Sequence, residues 1–474
     1  MGAVHRLREE VPMNRINRRA PLILVSAVVV SGLAALVLAR FTGTLSAADW
    51  AKAKAARNMR LVGHSDLNGL GDGGEGLDLR QYPDGRRILF FAHVNAPNCL
   101  STVDVTDPKN PRVLAQVPAV SKVVRCNSLG VVGNTLIIAQ NTDEPGQPGG
   151  GARVYDVSDP ARPTEIAFFD TSGGPSRGAH SVWFTDGQYA YLSTGAPDFE
   201  PAVPPRGDDQ FLMILDVRDR LHPKEIGRWW MPGQRKGEPG APLPRTKTRD
   251  GVRLHSVYWS PERPDRLYAG WIDGGMVILD ISNKAKPALV GQRSWYPKTD
   301  GYIAHSIAGI LPRNLAVATQ ETTGPGCEAN SNARPNTNQG LQMPMWTIDL
   351  SDERNPREIA QLPPPADVES ACKGIKGRYG SHNIHMSRPT PQAARLTETV
   401  VAAVFAAGVR VYSIADPKKP VEIGFFVPEA PPRSPMGVTQ INDVYVDEKG
   451  LIYAADRNSG GVYILEYTGS PALR

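Results

Sequence analysis

Cysteine is scarce: there are four in 474 residues, and no two are spaced as Cys-x-x-Cys. A thiolate metal or redox motif of that kind is excluded. An excess of one charge is also lacking. Lys plus Arg number 53 against 48 Asp plus Glu, a net +5, and no basic run exceeds a few residues. Nucleic-acid binding gets no support from that balance. Familiar catalytic strings are missing too. Gly149-Gly150-Gly151 opens no strand–helix unit, and there is no Gly-x-Ser-x-Gly elbow or His-Glu-x-x-His pair. Asp and Glu are too scattered to nominate a glycosidase pair. What the chain has in quantity is Gly (46) and Pro (42), the composition of a large, turn-rich all-β domain.

One string recurs along most of the chain: an apolar strand, an Asp, then a polar turn ending in Pro. It reads Val103-Asp104-Val105-Thr106-Asp107-Pro108 with Pro111, and again Tyr155-Asp156-Val157-Ser158-Asp159-Pro160 with Pro163. Further copies centre on Asp216, Asp280, Asp349 and Ser413, each followed seven residues later by a Pro. Asp-Pro starts a turn, and the second Pro restarts an extended chain. The six copies lie 52 to 69 residues apart, each with room for four strands. A degenerate seventh, Val462–Tyr467, lacks its last strand, while Arg60-Leu61-Val62-Gly63-His64 is a spare strand of the right type near the start. The expected fold is an all-β, seven-bladed β-propeller closed by pairing that N-terminal strand with the C-terminal blade, which removes two sheet edges.

The pattern Asp-Ile/Val-Ser-Asp-Pro-x-x-Pro-x-x-Ile/Val-Gly resembles the LVIVD-repeat propeller proteins, over roughly Met59 to Gly469. A similar string occurs in the selenium-binding protein/methanethiol oxidase propellers, a remote resemblance in that element only. The resemblance implies a propeller and no particular activity.

The expected organisation is a basic region over 1–20, a signal anchor or signal peptide over 21–41, a linker over 42–58, the propeller over 59–469 and a tail over 470–474. Arg15, Arg18 and Arg19 precede an apolar or small run from Pro21 to Ala39, and Ser46-Ala47-Ala48 offers a cleavage site. The run is just long enough to span a bilayer, and the basic flank sets its orientation with the propeller outside. An uncleaved anchor and a cleaved signal both remain open, as does a start at Met13. The expected location is extracytoplasmic, at the periplasm or cell surface. The cysteines agree with it: equivalent loop positions pair Cys99 with Cys126 and Cys327 with Cys372, among three possible connectivities, as staples between adjacent blades in an oxidising compartment.

Four of the nine histidines open a predicted strand in successive repeats: Ala179-His180-Ser181, Leu254-His255-Ser256, Ala304-His305-Ser306 and Ser381-His382-Asn383. The innermost strands of the seven blades then begin with Glu75 or its neighbour, Asn127, His180, His255, His305, His382 and Asn442. These positions line one end of the central channel. Neutral imidazoles there suit a transition metal, with Cu or Fe favoured and Zn possible. His180, His255, His305 and His382 are the expected ligands; Glu75, His93, Asn127, Glu321, His385 and Asn442 are pocket or supporting candidates, with Glu321 the carboxylate best placed to orient an imidazole. Strand alternation points Ser181, Ser256 and Ser306 away from the channel. Loops at 141–151, 194–209, 233–251 and 322–340 extend the same face.

The reading is an extracytoplasmic propeller with a four-histidine metal site, a metal-dependent oxidoreductase or oxygenase acting on a small organic or sulfur compound. Carotenoid-cleaving oxygenases resemble it in architecture alone, using four histidines on a propeller axis. The competing reading is a non-enzymatic binding propeller in which the histidines are structural, tying each blade entry to its neighbour. The expected partners are a small-molecule substrate or a surface partner, and the membrane through the N-terminal segment, with no nucleic acid.

Overall fold

The repeated string folds as a turn braced by its own side chains. Asp104 Oδ1 accepts from the Thr106 N–H and hydroxyl, and Asp156, Asp280 and Asp349 accept likewise from Ser158, Ser282 and Ser351. The second acid of the string, Asp107 or Asp159, caps the N–H two residues on. Such side chain-to-backbone bonds are what make Asp, Ser and Pro turn formers. The computed structural model describes residues 51–204, 207–239, 251–295, 303–321, 344–366 and 375–473, and they form seven four-stranded antiparallel sheets, in six of which the string joins the strand that ends at its Asp or Ser to the next strand outward. These are the blades of a propeller.

The ring closes as the sequence predicts. Met59–Ser65 pairs antiparallel with Gly461–Tyr467, with Arg60 opposite Glu466 and His64 opposite Tyr463. The 42–58 segment does more than link, because Ala53–Arg57 lies along Val421–Pro428 as an extra outer strand of blade six. Blade six in turn has no continuous inner ladder. His382 and His385 donate backbone N–H groups to Ala403 O and Val401 O, and the inner strand is reduced to isolated pairing. The predicted N-terminal helix lies outside the described residues, and no helix within them is long and apolar enough to cross a membrane.

The Gly that ends the repeat has a packing reason. A Cβ on Gly63, Gly227 or Gly291 would lie about 2 Å from the carbonyl oxygen of Pro108, Lys284 or Glu353. The outer strand of one blade therefore rests directly on the Asp-Pro turn of the next. Gly291→Val should force the two backbones apart and lower stability by about 1–3 kcal/mol. A denaturant midpoint unchanged from wild type would show that the seam gives way freely.

Cys99, at the start of the third strand of blade one, is bonded to Cys126, in the inner strand of blade two, with Cα atoms 5.1 Å apart. Both sit at strand starts rather than in the loops expected. Cys327 and Cys372 lie outside the described residues, as does the 322–340 loop. The buried aromatics serve blade packing: Trp229 and Trp271 meet edge-to-face with ring centres 5.0 Å apart, and Trp271 is fully buried.

Candidate metal centre

A β-bulge at the head of the inner strands places the site. In blade three Ala179 faces Thr194 and Ser181 faces Ser193, so His180 is an extra residue without a partner. Asn127 and Asn442 are the equivalent extra residues in blades two and seven. In blade five the register slips between Ala304 and Ile307, across His305 and Ser306. In blade one it slips between Gly73 and Leu77, across Glu75. A bulge breaks the alternation of side chains. This corrects the expectation that Ser181, Ser256 and Ser306 turn away from the axis. They line an axial cavity of about 60 Å³ beneath the histidines, together with Ser128, Asn383 and Asp443. Their hydroxyls tie the blades together: Ser181 donates to His255 O and Ser256 to His305 O, both at 2.6 Å.

Above this serine tier the imidazoles stack around the axis. Ring centres of His180–His255, His255–His305 and His305–His382 are 4.5, 3.7 and 4.2 Å apart. Glu75 and Glu321 reach into the same space. His382 Nε2 lies 3.6 Å from Glu75 and 3.5 Å from Glu321; for His305 Nε2 the values are 3.7 and 3.8 Å. His255 Nε2 is 3.9 Å from Glu75 and 2.9 Å from His180 Nε2. Three groups bring their ligand atoms within 4.8 Å of one another: Glu75 with His180 and His255, Glu75 with His305 and His382, and Glu321 with His255 and His305.

The proton positions follow from the neighbours. His382 Nδ1 lies 2.6 Å from the Asn442 carbonyl oxygen, which only accepts, so Nδ1 carries the hydrogen. The Ser306 hydroxyl donates to Asn383 Oδ1 and accepts from His305 Nδ1 at 2.9 Å. With Nδ1 engaged, both rings turn Nε2 toward the axis, where each neutral ring offers a lone pair; without a metal ion a proton on His382 Nε2 faces Glu321 instead. Both nitrogens are buried and neither has a well-formed hydrogen bond. Burial, joined by neighbouring positive charge, lowers His180, His255 and His305 well below the ordinary imidazole value. Burial also raises Glu75, against the pull of His382. Glu321 stays well below the usual carboxyl value because His382, His305 and Arg378 outweigh its burial. Gaps of 3.5–3.9 Å between imidazole nitrogen and carboxylate oxygen are long for a hydrogen bond. They suit two ligands each about 2.0–2.2 Å from one ion.

The other candidates separate. Asn127 Nδ2 approaches His180 Nε2 at 3.4 Å, and its side chain also bonds Glu75. Asn442 holds His382 through its carbonyl and receives Arg457 Nη1 on Oδ1 at 3.2 Å. His93 is spent within blade one, 2.7 Å from Ser101 Oγ and bonded to the Leu70 backbone. It belongs to none of the three ligand groups. His385 borders the axial cavity, but both nitrogens are engaged, by Ala394 O and the Val446 N–H. It braces blade seven instead of facing the cluster. Two residues had no recurrence to mark them: Arg378, which donates to Glu321 Oε1 at 2.6 Å, and Arg457.

Comparison with known proteins bears on the repeat and not on the chemistry. The LVIVD-repeat model matches residues 267–293. No curated protein matches the sequence. Raptor from Chaetomium thermophilum superposes with a TM-score of 0.49 at 11% identity, covering 89% of this chain and 30% of that one. A protein from Lactobacillus plantarum also gives 0.49 at 11%, over 81% of this chain and 96% of that one. This chain thus spans under a third of the Raptor chain. The chain is a seven-bladed β-propeller carrying the LVIVD repeat, with a histidine–glutamate cluster on its axis that could hold a metal ion.

Proposed function

We propose that the axial cluster binds one transition-metal ion and that the protein is an extracytoplasmic, metal-dependent oxidoreductase or oxygenase acting on a small organic or sulfur compound. The observation that carries the metal is the pair of buried Nε2 atoms of His305 and His382, which lack a well-formed hydrogen bond and are aimed beside Glu75 and Glu321. Leaving such atoms unsatisfied costs about 1–3 kcal/mol each, and a cation would satisfy both at once. Two carboxylates would offset its charge. Neutral imidazoles with carboxylates suit Fe, Cu or Zn, with Cu or Fe favoured for redox work. The ion would supply redox or Lewis-acid chemistry; the protein fixes the ring tautomers through Ser306 and Asn442 and keeps the cluster buried. The Cys99–Cys126 bond favours an oxidising compartment.

Elemental analysis of the purified or reconstituted domain tests this, with about one equivalent of transition metal expected. Failure to bind any transition metal would sink the reading and leave the non-enzymatic binding propeller. Ser306→Ala provides a finer check. Without the hydroxyl that holds His305 Nδ1–H, affinity should fall about 10–100-fold while the fold persists.

A further inference from the structure

The mouth of the cluster carries more positive charge than its carboxylates use. Arg177 is committed to Asp209 at 2.6 Å, and Arg125 to Asp143 at 2.7 Å. Arg378 gives Nη1 to Glu321 and lies against the Phe405 ring. Arg457, immediately after the second strand of blade seven, forms no salt bridge among the described residues, and its guanidinium donates a hydrogen bond to Asn442 Oδ1. It nevertheless stands within electrostatic reach of Arg378, Arg125, Glu75 and Glu321. Burial, with Arg378 beside it, lowers Arg457 to about 10. With a metal ion in place, Glu75 and Glu321 would be offset by that ion, and the guanidinium would be left without a counter-charge. A half-buried cation in that position is stabilised by an anion.

Resting on the metal reading above, we propose that Arg457, supported by Arg378, binds the oxyanion group of a small anionic substrate, a carboxylate or an oxoacid of sulfur, and so holds the rest of that molecule against the axial centre. The charge selects the class, and the planar fork of the guanidinium suits two oxygens of one group.

Cobalt-loaded protein gives the test, because a ligand arriving at the centre perturbs the visible spectrum of the ion. Acetate, methanesulfonate and the neutral analogue acetamide are titrated into wild type, Arg457→Gln and Arg457→Lys. Acetate or methanesulfonate should perturb the spectrum and acetamide should not, and whichever anion binds more tightly names the source. Arg457→Gln should weaken the response about tenfold or more, with cobalt affinity retained as the sign of an intact fold. Arg457→Lys should recover part of the loss. Anion affinity within about twofold of wild type in Arg457→Gln, with cobalt bound, overturns the inference and leaves the metal reading standing. If cobalt does not bind wild type, the metal reading falls. Calorimetric titration of the metal-free proteins then decides the anion site by the same comparison.

Discussion

His305→Ala and His382→Ala are each expected to abolish stoichiometric metal binding, weakening it by more than about 100-fold. Both rings are fully buried with tautomers fixed from behind, so neither can be replaced by a neighbour without moving a strand. Wild type should also unfold later when metal is added, by about 2.7 kcal/mol at a hundredfold excess over Kd, and both variants should lose that response. A structural role predicts the reverse. Each variant would be destabilised by about 1–3 kcal/mol in the absence of metal, and wild type would ignore added metal. Thermal melts with and without metal distinguish the two. Metal-responsive melting that survives in both alanine variants would eliminate these histidines as ligands.

The second large effect is expected far from the cluster, at the joint between blades seven and one. Arg87 Nη2 donates to Asp447 Oδ2 at 2.8 Å, and Nη1 donates to Glu448 Oε1 at 2.6 Å. Asp447 is fully buried, and its other oxygen accepts the Lys449 and Leu451 N–H groups. Arg87→Met would leave that carboxylate buried beside an apolar chain. Removing one partner of such a pair costs about 3–5 kcal/mol, a large part of the stability of most domains. Glu448 is about one-third exposed, so Glu448→Gln should cost under about 1 kcal/mol. Chemical denaturation of the two variants side by side provides the check; equal losses would mean that burial of Asp447 is not what sets the energy of the joint.

The repeat was legible because its chemistry is local. An Asp two residues before a Thr or Ser, and a Pro seven residues on, specify a turn whatever lies around it, and the closing strand followed from a missing partner. The position of the four histidines was legible for the same reason, since each opens the equivalent strand. Their surroundings were not. Alternation along a regular strand sends Ser181, Ser256 and Ser306 outward; at Ser181 and Ser306 a bulge, an event in the pairing between strands, brings them back to the axis, and Ser256 begins its strand. Glu75 was placed with an open choice of neighbour because Gly73 to Gly76 carries no apolar pattern from which to count register. His385 was named as a supporting residue for its nearness to His382; one nitrogen bonds Ala394 O within blade six and the other the Val446 N–H of blade seven. Arg378 and Arg457 each occur once, at strand or loop ends, where nothing in a single sequence separates them from surface cations.

The two strands at the start of the described chain have a mechanical consequence. Ala53–Arg57 lies on the edge of blade six and Met59–Ser65 on the edge of blade seven, with Asn58 between them at φ 53°. Asn58 is itself fastened, its side chain to Ile423 O and its carbonyl to the Thr468 N–H. A pull or fraying event travelling in from the N-terminal side must strip the first strand from blade six before it reaches the seam that closes the ring. The strap thus acts as strain relief. Amides of Met59–Ser65 should exchange with solvent more slowly than a terminal closing strand ordinarily would, and deleting Ala53–Arg57 should expose that seam to the first tug.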